Sequence, residues 1–101
     1  MNLPQPLGPS LPDSLQVLKA LADPVRLDLL QRIAAVEQMP CTTLVDEARV
    51  SASTVSYHVK ALREAGLVDV HKEGRNFYYV YRHDRARHLA AALDRLERFS
   101  G

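Results

Sequence analysis

The stretch SASTVSYHVKALREAGLVDV, residues 51–70, puts two unlike faces at helical spacing. Val55, Val59 and Leu62 stand at i, i+4 and i+7, so a helix gathers them into one apolar stripe. The opposite side carries Ser53, Thr54, Ser56, Tyr57, Lys60 and Arg63, small hydrogen-bonding groups first and cations later. Ser51 offers a side-chain oxygen to the unpaired amides of a first turn. Gly66 stands where a helix closes through left-handed backbone, a region glycine enters without a Cβ penalty. The spacing therefore predicts a helix over 51–65. Leu67, Val68 and Val70 then read as a strand, residues 72–76 as a turn containing Gly74, and residues 77–81 as the returning strand of a hairpin.

Upstream, Leu15, Leu18 and Ala22 recur at helical spacing from Ser14 onward. Asp23 and Pro24 close that helix and open the next, with Asp as N-cap and Pro at the first helical position. Val25, Leu29, Ile33 and Val36, with Leu30 beside them, give the second helix its buried stripe, and Met39 and Pro40 break it. A short third helix over about 42–48 buries Leu44 and Val45 and carries a capping pattern from Thr43 to Asp46. Arg49, Val50 and Ser51 form the turn into the helix that follows. Downstream, Asp84 serves as N-cap of a last helix on which Leu89, Leu93 and Leu96 resume helical spacing. Pro4, Pro6, Pro9 and Pro12, with Gly8 and Ser10, mark residues 1–12 as a flexible N-terminal arm and leave 13–101 as the folded unit. The predicted chain is mainly α with a small β-hairpin wing, the pattern of a winged helix-turn-helix.

One hundred and one residues make one ordinary domain. A chain this size buries only about two-thirds of the surface its unfolded form exposes, which favours a partner subunit. With 47% hydrophobic and 25% charged residues the composition is globular, and no apolar run reaches the ~18 residues that span a bilayer, so no membrane role is expected. No cationic segment followed by an apolar one opens the sequence, and the single cysteine, Cys41, cannot form an internal disulfide. The expected compartment is the cytoplasm. A net charge of +1 does not by itself point to nucleic acid. Residues 1–49 hold four cations against six carboxylates, whereas residues 50–82 hold five against three, with His58 and His71 in addition. That mild asymmetry suits a phosphate-facing surface and a solvated helix face alike.

Three motifs in order carry a resemblance: LADPVRL over 21–27, VSASTVSYHVKALREAGLV over 50–68 and EGRNFYY over 73–79. Together they resemble the ArsR/SmtB family of dimeric bacterial transcriptional repressors, over most of the chain from about Ser14. The resemblance implies a sequence-specific DNA-binding regulator that reads an inverted-repeat operator as a homodimer. It places the helix after the turn in the major groove of double-stranded DNA and the hairpin against the adjacent backbone or minor groove. It gives dimerisation to the first and last helices. Ala52 stands where the family often has Gln, so the base contacts need not follow the family's.

Ser53, Thr54, Ser56 and Tyr57 are the candidate base readers, with Lys60 and Arg63 on phosphate. Lys72, Arg75 and Asn76 at the wing tip are further DNA contacts, Arg75 being suited to a narrow minor groove. His58 lies nearer the apolar stripe and is expected to pack, hydrogen-bonded to a neighbouring helix. Leu15, Leu18, Leu89, Leu93 and Leu96 form the candidate dimer interface. A thiolate metal site needs several sulfurs and the chain has one. The last-helix pattern of zinc-sensing relatives falls here on Asp84, Ala86, Glu97 and Ser100, without its histidines. No metal, cofactor or catalytic site is therefore expected. A small-molecule effector between the terminal helices and the core remains open, as does constitutive binding. Two rival readings stand beside this one. A thiol or redox switch could act through Cys41, and a winged helix could serve protein interaction, which would require an apolar outward face over 52–63.

Overall fold

Asp23 has extended backbone, φ −108° and ψ 125°, and its carboxylate accepts the backbone N–H of Arg26 at 3.0 Å. That bond satisfies one unpaired amide of the helix opened by Pro24, whose ring has no N–H to satisfy. α1 (Leu11–Leu21) and α2 (Pro24–Ala34) part at this junction in the computed structural model, which describes residues 11–100. β1 (Met39–Pro40), α3 (Cys41–Glu47), α4 (Ala52–Glu64), β2 (Val68–Glu73), β3 (Asn76–Tyr81) and α5 (Asp84–Ser100) follow. Val17 of α1, Leu29 and Ile33 of α2, Leu44 of α3 and Val55 and Leu62 of α4 meet in one core, closed below by Leu67 and Val68.

Several expectations need correction. The boundary at residue 13 moves back, because α1 begins at Leu11 and includes Pro12; the rest of the expected arm lies outside the described residues. Proline is tolerated there because a first-turn amide has no partner inside its own helix. Met39 and Pro40 do more than break α2: they pair antiparallel with Tyr79 and Tyr78, which makes the sheet three-stranded in the order β1-β3-β2. α3 starts at Cys41 with Pro40 in the cap position and no side-chain cap bond, so Thr43 lies within the helix and caps nothing. Val36 falls beyond the end of α2 and is 45% exposed. At α5 the carbonyl of His83, not Asp84, accepts the Arg87 amide, at 2.8 Å, and Asp84 is the first helical residue.

The wing itself follows the sequence closely. β2 and β3 pair from Val68 opposite Tyr81 to Glu73 opposite Asn76, leaving Gly74 and Arg75 as a two-residue turn. Gly74 has φ +62° and Arg75 does not have positive φ, the sign pattern of a type II′ hairpin turn.

Candidate nucleic-acid interface

α4 is fixed at both ends by its own sequence. The Ser51 hydroxyl accepts the Thr54 amide at 3.2 Å and lies 2.9 Å from the Thr54 hydroxyl and 3.1 Å from that of Ser53. At the other end Gly66, φ +76°, donates to the Arg63 carbonyl at 3.0 Å, and Leu67 donates to that of Leu62 at 2.9 Å. This pair of bonds is a Schellman closure, with the buried side chains of Leu62 and Leu67 as its hydrophobic contact. Between the ends, Val55, Val59 and Leu62 are buried as the stripe predicts. His58 is buried with them and accepts from Arg26 of α2, as expected of a packing histidine.

The outward face of α4 presents Ser53, Ser56, Tyr57, Lys60 and Arg63 to solvent. Thr54 is half-buried and its hydroxyl is engaged with Ser51, so it serves the cap as much as the surface. Lys72, Arg75 and Asn76 are exposed at the wing, with the Lys72 ammonium 5.7 Å from the Phe77 ring centre. α4 and the wing flank a cleft of about 370 Å³ where Ser56, Lys60 and Arg63 face Val70, Phe77 and Tyr79. Cys41 of α3 borders the same cleft, beside the reading unit as anticipated. Burial, and then hydrogen bonding with Cys41, push the Tyr79 hydroxyl well above the ordinary phenol value.

Several arginines are held by carboxylates. Arg32 pairs with Asp28 at 2.9 Å, Arg82 with Asp69 at 3.2 Å, Arg85 with Asp13 at 3.6 Å and Arg98 with Asp94 at 2.9 Å. Among the described residues, Lys60, Arg63 and Arg75 form no such pair. Their charge is left to whatever docks on this face. No group of three or more His, Cys, Asp or Glu able to hold a metal occurs among the described residues.

The expected interface leucines separate. Leu15, Leu18, Leu93 and Leu96 are 46%, 45%, 52% and 65% exposed on α1 and α5, which pack against each other. Leu89, grouped with them from spacing, is 7% exposed and belongs to the protomer's own core.

Sequence reasoning passed over two arginines that hold α4 in place. Arg26 reaches its His58, and Arg85 donates to the Ala65 carbonyl at the end of α4, at 3.1 Å. A signal was available: both are cations in the first turn of their own helices, where the helix dipole opposes them.

A polar, cation-bearing second helix after a short helix and turn, followed by a basic-tipped hairpin, defines a winged helix-turn-helix of the DNA-binding class. A helix-turn-helix domain family model matches residues 21–71. The chain is 35% identical over 82 residues to an uncharacterised helix-turn-helix-type transcriptional regulator of Methanocaldococcus jannaschii, covering 80% of this chain and 91% of that one. It is 32% identical over 78 residues to the arsenical resistance operon repressor of Staphylococcus xylosus, covering 77% and 74%. Its fold superposes on an ArsR-like transcriptional regulator from Rhodococcus sp. RHA1 with TM-score 0.78 and 26% identity, covering 85% and 80%. The chain belongs to the ArsR/SmtB family of DNA-binding transcriptional regulators.

Proposed function

We propose that this regulator is a cytoplasmic repressor that binds an inverted-repeat operator as a homodimer and occludes its own promoter region. The carrying observation is the gathering of exposed cations on one face: Lys60 and Arg63 of α4 and Lys72 and Arg75 of the wing are exposed there and, among the described residues, form no ion pair with a carboxylate. Lys60, Arg63 and Arg75 meet phosphate or groove, and Ser53, Ser56 and Tyr57 meet base edges, joined by Thr54 where its cap allows. Lys72 and Asn76 extend the contact along the wing. The role is one of binding, with no catalytic step. The polar outward face of 52–63 disfavours a protein-interaction module, whose surface there would be apolar.

Footprinting on DNA upstream of its own gene tests the reading. Neutralising each of Lys60, Arg63 and Arg75 is expected to flatten the salt dependence of binding by about one in slope per contact. A triple neutral variant that binds as tightly as the parent at every salt concentration would show the face to be wrong.

A second reading keeps the DNA target and adds a thiol response. It is favoured by Cys41, which is half-exposed on the cleft that Lys60 and Arg63 border. A group added to its sulfur would lie against those cations. Titrating DNA binding with a thiol oxidant, in the parent and in Cys41→Ser, separates the two. The first reading expects no difference, and release confined to the parent establishes the second.

A further inference from the structure

Tyr57 is 65% exposed on α4, yet its ring is held from below. The guanidinium carbon of Arg26 lies 5.9 Å from the ring centre, within reach of a cation–π contact. The His58 ring meets Tyr57 edge-on at 5.1 Å and 70°. Arg26 Nε donates to His58 Nδ1 at 3.3 Å, and its Nη1 donates to the Ala20 carbonyl near the end of α1 at 3.5 Å. Its own backbone N–H is taken by Asp23 at 3.0 Å. One guanidinium thus joins α1, α2 and α4 under the single aromatic side chain that the reading helix presents.

Arg26 is half-buried and belongs to α2, not to the outward face of α4. A cation in a first helical turn works against its own helix, so its ordering comes from the partners just named. A Tyr free to rotate would lose side-chain entropy on meeting a base, whereas one already held loses less.

We propose that Arg26 is a positioning residue for base recognition: through His58 and the Tyr57 ring it sets the sequence preference at the base pairs Tyr57 reads, without touching DNA. The proposal rests on α4 being the DNA-reading helix.

The test is a double-mutant cycle in the full chain with Arg26→Gln, Tyr57→Ala and both together. Affinity is measured for the footprinted operator and for a scrambled duplex of equal length, across a salt series. Each single change is expected to weaken operator binding roughly 2- to 10-fold and to leave scrambled DNA unaffected. The double variant is expected to bind no more weakly than Tyr57→Ala, with the parent's salt slope. Losses that multiply in the double variant would overturn the proposal, as would a slope reduced by about one in Arg26→Gln, which would make Arg26 a phosphate contact. A Tyr57→Ala variant with parental operator affinity would instead sink the underlying reading of α4. Where thermal unfolding shows that Arg26→Gln does not fold, Arg26→Lys replaces it. Lys keeps the charge but lacks the planar fork, so the same non-multiplying loss is expected.

Discussion

The Asp23 carboxylate accepts the Arg26 backbone amide of α2 and is thereby held below its ordinary value of 3.8. A depressed carboxyl contributes stability at every pH above its unfolded value and loses it as pH falls through the lower folded one. Acid unfolding below about pH 4 should therefore draw partly on Asp23. Asp23→Asn keeps the capping oxygen and removes the titration, so its melting temperature is expected to decline less steeply than the parent's between pH 4 and pH 2. Equal slopes would mean that the cap bond does not depend on the carboxylate charge. At this scale the sequence was legible where a residue acts on its near neighbours. Asp23, Ser51 and Gly66 each act on amides or carbonyls within three residues, and all three were read correctly. Arg26 and Arg85 act across 32 and 20 residues, on partners that no local spacing names.

Among the elements, α4 depends on a glycine that two demands make hard to replace. Gly66 has φ +76°, and a Cβ there would lie 2.8 Å from Cδ of Arg85, the side chain that donates to Ala65. Gly74 shares the positive φ, at +62°, but has open space around it. Gly74→Ala should cost only the backbone strain, on the order of 1–2 kcal/mol. Gly66→Ala should cost that plus the displacement of Arg85, and thermal melts of the two variants give the difference directly. If the losses are equal, Arg85 yields freely and contributes nothing to the seat of α4. α1 and α4 were legible as elements because each carries its period and its stop signal, at Asp23-Pro24 and at Gly66. β1 was not, because two residues have no period and its pairing with Tyr78 and Tyr79 is made across the fold.

For the whole molecule, the exposed leucines on α1 and α5 leave an apolar surface that a second copy of the chain would cover. A two-fold pairing through them would space the two α4 helices about one DNA turn, roughly 34 Å, apart. Leu93→Lys with Leu96→Lys is expected to leave the protomer folded but monomeric by sedimentation, and to abolish cooperative occupation of two half-sites. Leu89→Ala should instead lower stability by about 2–5 kcal/mol, since Leu89 fills the core. A charged pair at 93 and 96 that still sediments as a dimer would move the interface elsewhere. The short β1 has a mechanical consequence for the wing. It clamps β3 only at Tyr78 and Tyr79, so the outer hairpin, with Asn76 opposite Glu73 and Phe77 opposite Lys72, projects as a cantilever from a fixed root. Amide exchange should therefore be slow at the root and fast at the overhang, and the free end can follow the local width of a groove while its base keeps a constant heading.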